Sequence, residues 1–208
     1  MRYISAFFNP LIIPTYAIVV AMWITPLQRI PETTRIVASL TVLLLTAIPP
    51  LLSVAALGRY GKRESEAGKL TRKISRIPTV IFIICQLCAA FYLYSIYAPE
   101  WLVMILVAGG VASLTYLVVG CFISISGHLC GMGSFFAILY YLGINDISDI
   151  VATPWLVAVV LLSGLLATAR LKLKRHTLSE VGLGYLAGVA STYIILNIHL
   201  FDSKLPPV

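Results

Sequence analysis

The sequence predicts an all-α protein, a polytopic bundle of six to seven transmembrane helices forming a single domain over residues 1–208. Three observations carry that expectation. Hydrophobic residues make up 60% of the chain and charged residues only 11%, against about a quarter charged in soluble domains. The mean hydropathy is +0.97. The charges are also gathered between apolar stretches, several of which reach the roughly 20 residues that a helix needs to cross about 30 Å of hydrocarbon. A helix satisfies its own backbone polar groups inside lipid, which is why such stretches fold as spanning helices.

Cut at the charges, the chain gives seven apolar stretches: Phe7–Thr25, Val37–Leu57, Ile77–Tyr97, Trp101–Phe122, Leu129–Gly143, Pro154–Thr168 and Val181–Phe201. The first follows Met1–Phe8, which holds one arginine and no A-x-A-like cleavage site, so it is expected to insert and stay. The second contains Pro49-Pro50, which predicts a kink or a break. In the third, Cys85 and Cys88 form a C-x2-C in mid-span with no second pair or acid nearby. They read as small apolar packing residues, because a redox or zinc site needs polar, accessible surroundings. The fifth and sixth stretches are short and are expected to borrow flanking residues or to tilt less. The seventh holds Gly184-Tyr-Leu-Ala-Gly188, a G-x-x-x-G pattern that permits close helix approach within the bundle. Trp23, Tyr97, Trp101 and Trp155 fall at span ends, where interfacial aromatics belong.

Alternating crossings place the N-terminus, the Gly58–Arg76 linker, the Ile123–His128 turn and the Arg170–Glu180 run on one side of the membrane. Twelve of the 15 Lys and Arg lie there, and three, Arg29, Arg35 and Lys204, lie on the other. The positive-inside rule makes the first side cytoplasmic, and setting Lys69, Arg76 and Arg170 aside still leaves nine against three. The expectation is a multi-pass protein of a bacterial inner membrane. Topology thus explains the net charge of +7, which implies no nucleic-acid partner.

Two polar runs stand out. Residues 101–145 hold no Lys, Arg, Asp or Glu, and their polar interruption is Ser124-Ile125-Ser126-Gly127-His128. A histidine among so much hydrocarbon-forming sequence belongs at a membrane surface or in a polar cavity. Ser126 and Gly127 ahead of a new helix suit anion binding, through a hydroxyl, close backbone approach and free N–H groups. They also read as a plain helix cap. The second run, Ala169–Glu180, is A-R-L-K-L-K-R-H-T-L-S-E. If its end is helical, His176 and Glu180 lie one turn apart on one face. A carboxylate there holds one ring nitrogen and leaves the other free to attack or to shuttle a proton, while Arg170 offers a planar fork for an oxyanion. The same run also reads as an ordinary basic juxtamembrane loop. Two crossings separate His128 from His176, so both face one compartment, and their convergence with cations and a carboxylate is a reaction-site constellation.

Here the chain resembles the type 2 phosphatidic acid phosphatase superfamily. Ile125-Ser126-Gly127-His128 is similar to its P-S-G-H motif, and Ala169-Arg170-x5-His176-x3-Glu180 to its S-R-x5-H-x3-D motif. Ile125, Ala169 and Glu180 depart from the pattern. Lys69-x6-Arg76-Ile77-Pro78 resembles K-x6-R-P with one extra residue before the proline, 50 residues ahead of the S-G-H, and Arg72 or Lys73 stands close enough to replace either cation. The resemblance covers about 101–201. It implies a metal-independent integral-membrane lipid phosphatase without cofactors, acting on a lipid phosphomonoester or pyrophosphate. His176 would attack phosphorus with Glu180 orienting its ring, and His128 would protonate the leaving alkoxide. Arg170, Ser126, Gly127, Lys69 and Arg76 would cradle the phosphate. The implied partners are a lipid phosphate substrate and membrane lipids. Two alternatives share the architecture: a lipid phosphotransferase using an alcohol in place of water, and a non-catalytic member or transporter that binds anionic lipids. His199, near the end of the last span, falls on the opposite side and is expected to be inert.

Overall fold

The computed structural model describes residues 9–61, 76–148, 153–174 and 176–198. These residues form seven α-helices and a short 3-10 turn: α1 Ile13–Ile24, the turn Pro26–Arg29, α2 Glu32–Gly61, α3 Ile77–Ser95, α4 Glu100–Val119, α5 Gly127–Ile144, α6 Thr153–Lys172 and α7 Leu178–Leu196. Six of them, α2 to α7, are long and apolar enough to cross a membrane. The chain is therefore a multi-pass membrane protein. The exception is α1, whose 12 residues span ~18 Å. Its stretch Phe7–Thr25 begins among residues outside those described.

Helix boundaries follow local chemistry. The short fifth and sixth stretches lengthen by taking in neighbours, Gly127 and His128 at the start of α5 and Ala169–Lys172 at the end of α6. The first third of the Ala169–Glu180 run thus continues α6, with Arg170 and Lys172 in a last turn where the helix dipole favours cations. Lys174 then takes φ 50°, a left-handed turn that reverses the chain ahead of His176. Pro49 and Pro50 do not break α2, which runs through them as one helix. Neither proline has an N–H to donate, and in the next turn the Ser53 hydroxyl donates to the Pro50 carbonyl at 2.7 Å.

The centre of the bundle is α5 packed on α7, the most extensive helix pair, with α4 against both. Small residues set this closeness. A Cβ on Gly184 would stand 2.7 Å from the Ser126 carbonyl oxygen, and one on Gly188 or Gly133 would collide with the facing backbone at Cys130 or Tyr185. The G-x-x-x-G pattern therefore serves an intramolecular contact. Outside this centre, α3 lies between α2 and α4, and α6 rests on α5. Their outer faces present Leu52, Phe91 and Leu161, each more than 60% exposed, as lipid-facing surface. Cys88 belongs to that surface too, and Cys85 is half-buried, so only Cys130 is a fully buried packing cysteine. This corrects the expectation for Cys88. In hydrocarbon a thiol needs no burial, because the solvent is as apolar as the core.

The two ends of the bundle separate cleanly. At one end lie the end of α1 and the start of α2, where the Arg35 guanidinium sits 4.5 Å over the Trp23 ring. The Ser148 hydroxyl donates to the Ile24 carbonyl there at 3.2 Å. The other end carries Arg76, the turn before α5 and the turn before α7.

Candidate active site

At that second end the turn before α5 and the start of α7 are stitched together. The Ser126 backbone N–H donates to the Glu180 carbonyl at 3.1 Å. Gly184, one turn further along α7, leaves room for this by letting the Ser126 backbone rest on the helix. Gly127 plays a similar part on the other side of the turn. Its missing Cβ is replaced by the Tyr116 ring of α4, whose nearest carbon would be 3.2 Å from a Cβ at Gly127.

His176 precedes α7 and is mostly buried, with its Nδ1 3.0 Å from Glu180 Oε2. The same carboxylate oxygen accepts from the Thr177 backbone N–H at 3.1 Å. In return the Thr177 hydroxyl oxygen accepts from the Glu180 N–H, completing a capping box at the helix start. The Ser124 hydroxyl approaches this carboxylate as well. Glu180 thus fixes the helix terminus and the imidazole with one group. An ionised carboxylate only accepts, so Nδ1 carries a proton, and in the neutral ring Nε2 is the nitrogen left with a lone pair.

A cavity of about 370 Å³ opens beside this assembly, with Gly127, His128, Arg170, His176 and Tyr116 at one end. It continues inward between α1, α2, α3, α4 and α5, past Leu51, Phe82, Ile105 and Ile138. Both histidines of the two polar runs therefore face one chamber, with a cation beside them and an apolar channel below. No side chain caps the start of α5, so its first-turn N–H groups point toward the same end.

The other expected site residues divide. Ser126 is fully buried behind the chamber wall, its hydroxyl is without a hydrogen-bond partner and its N–H is committed to Glu180. Its place is in the joint between α5 and α7. Arg76 immediately precedes α3, and its charge and that of Arg170 both bear on Tyr116, which puts Arg76 at the chamber's end of the bundle. Lys69, with Arg72 and Lys73, lies outside the described residues, as does His199.

Sequence reasoning missed Tyr116 and the capping box. The box was legible as Thr177-Leu-Ser-Glu180, the T-x-x-E pattern ahead of an apolar run. A reach back to the cap N–H calls for a long acid, which Glu180 supplies. Tyr116 carried no signal, because an aromatic in an apolar span looks like any packing residue. Among the described residues no group of three or more His, Cys, Asp or Glu gathers to hold a metal ion. Comparison with protein-family models, with curated proteins and with solved structures finds no match.

Proposed function

We propose that the chain is an integral-membrane lipid phosphatase that hydrolyses a phosphomonoester or pyrophosphate through a phosphohistidine, without a metal ion. One observation carries the reading: a carboxylate-braced His176 shares a chamber with His128 and Arg170, and that chamber continues into an apolar channel. The phosphate would sit at the polar end with its hydrocarbon below, which is the polarity of a lipid phosphate.

The chemistry needs two steps and two imidazoles. His176 Nε2 attacks phosphorus while the bond to the lipid oxygen breaks, and His128 delivers a proton to the departing alkoxide. Water then attacks the phosphohistidine. His128, now neutral, takes the water's proton, and the imidazole of His176 leaves as inorganic phosphate forms. Glu180 holds the Nδ1 proton and steadies positive charge on the ring. Arg170 and the first-turn N–H groups of α5 stabilise charge on the phosphoryl oxygens, which is most of what phosphoryl transfer requires. The side facing this site is cytoplasmic by the distribution of Lys and Arg.

The test is phosphate release from vesicle-borne phosphatidate with a chelator present. Release by the wild type, and its loss in a folded His176→Ala variant, is the expected outcome. Undiminished turnover in that variant rejects the mechanism. The capping box favours a second reading, because it gives Glu180 a structural role that needs no catalysis. On that reading the chamber only binds anionic lipid, and no chelator-resistant release is seen from any lipid phosphate.

A further inference from the structure

The polar end of the chamber carries one more donor that the two-histidine chemistry does not use. Tyr116 stands three residues before the end of α4 at Val119, ~5 Å below that end of the bundle. Its ring lines the chamber and lies against Gly127, the first residue of α5. The ring carbon that bears the hydroxyl would be 3.3 Å from a Cβ placed on Gly127. The phenol oxygen is one bond from that carbon, so it stands at the uncapped start of α5. The charges of Arg170, in the last turn of α6, and of Arg76, ahead of α3, both bear on Tyr116.

Other polar groups of the chamber wall are occupied within the fold. The Gln86 amide nitrogen donates to the Ser113 hydroxyl at 3.2 Å, and its oxygen, without a partner, is lodged against Gly109. Ser113, Cys130 and Ser134 each donate to a helix carbonyl. Tyr116 differs. Among the described residues no hydrogen bond reaches its hydroxyl. Packing against Gly127 needs only the ring, which a phenylalanine would supply as well, whereas a hydroxyl held inside a span calls for an acceptor. We propose that Tyr116 is a direct phosphate contact, its hydroxyl donating to an oxygen of a phosphate held at the start of α5. This rests on reading the mouth as a phosphate site. A phenol adds a short donor to the cations and N–H groups there without a further charge to desolvate. Because a hydrogen bond to an ionised oxygen is about twice as strong as one to a neutral oxygen, the contact favours a charged head group over a neutral one.

Affinity tests this without any turnover. Dodecylphosphonate and its neutral dimethyl ester, which share one chain, are titrated into the full-length protein in lipid nanodiscs, as wild type and as Tyr116→Phe. The wild type is expected to bind the phosphonate more tightly than the ester. In Tyr116→Phe the phosphonate should bind about tenfold more weakly, with ester affinity and melting temperature unchanged. Unaltered phosphonate affinity in the variant overturns the proposal. So does equal weakening for both probes, or a variant that melts well below the wild type, because either gives the hydroxyl a task in the fold. A tenfold loss confined to the phosphonate, in a protein that releases no phosphate from any lipid, upholds the contact and rejects the phosphatase. A wild type that binds neither probe, or both alike, rejects the contact whatever its turnover.

Discussion

The backbone N–H of Ser126 donates to the carbonyl of Glu180 at 3.1 Å, joining residues 54 positions apart at the same end of the bundle. This bond ties the start of α5, with its His128, to the start of α7, with its His176. It places two polar runs that are distant in sequence into one joint, and it depends on how closely the two helices approach.

That approach rests on glycine. Gly184→Ala is expected to drive a methyl against the Ser126 backbone and cost ~1–3 kcal/mol, and Gly188→Ala, facing the Cys130 carbonyl, at least as much. Gly182→Ala, with open space around it, should change stability by less than ~0.5 kcal/mol. Thermal unfolding in detergent checks the order. Equal effects at Gly182 and Gly188 would show that the helices do not pack as described.

Glu180 performs two tasks that substitution separates. Glu180→Gln keeps a side chain able to complete the capping box but removes the charge that holds the His176 proton. The expected outcome is a melting temperature close to that of the wild type with turnover lowered on the order of 10²–10⁴-fold. Glu180→Ala should lose thermal stability as well. If Glu180→Gln retains full activity, the carboxylate serves only the helix cap.

At Arg170 the distinction is between charge and shape. Arg170→Lys keeps a cation at the chamber and loses the two-pronged donor, so kcat/KM should fall about tenfold. Arg170→Ala should fall on the order of 10²–10³-fold. Identical losses in the two variants would place Arg170 in the packing of α6 rather than against the phosphate.

Gly109 and Gln86 form a coupled pair. Gly109→Ala alone puts a methyl into the Gln86 carboxamide and should cost ~1–3 kcal/mol. In a Gln86→Ala background the same change should cost far less, giving a coupling energy of at least ~1 kcal/mol. Strict additivity of the two melting shifts would contradict the contact.

Orientation is open to a direct label. Cys121, in the turn after α4, is exposed at the site's end, whereas Cys88 is exposed toward lipid in mid-span. With Cys121 as the sole cysteine, a membrane-impermeant maleimide is expected to react only when the cytoplasmic face is open, and Cys88 alone should stay unlabelled from either face. Labelling of Cys121 in intact cells would put the site on the outer side.

Much of this arrangement was legible in the sequence, for identifiable reasons. Charge-delimited apolar runs fix where helices cross, and crossing parity brings His128 and His176 to one face without knowledge of packing. Helical spacing predicts the His176–Glu180 contact, but His176 stands ahead of the Thr177 cap, outside the helix, and it is the reach of Glu180 back over the capping box that makes the contact. Depth and direction were less visible. Ser126 reads as a phosphate ligand by residue type, yet the approach of Gly184 turns it into the joint. Gln86 reads as one polar residue in an apolar span, and only the position of Ser113 one helix away fixes which of its atoms is left over. Pro49-Pro50 promises a kink or a break by local chemistry, and α2 runs on as one helix through both prolines, so the break is the part that fails.

The most direct measurement is capture of the covalent intermediate. Wild-type protein mixed with lipid carrying a labelled phosphate and quenched in alkali should retain label on His176, in a linkage stable to base and lost in acid, while His176→Ala retains none and His128→Ala accumulates none beyond the wild-type level in the first turnover. Rapid phosphate release with no label on the wild type, or equal label on His176→Ala, would contradict a phosphohistidine at this residue.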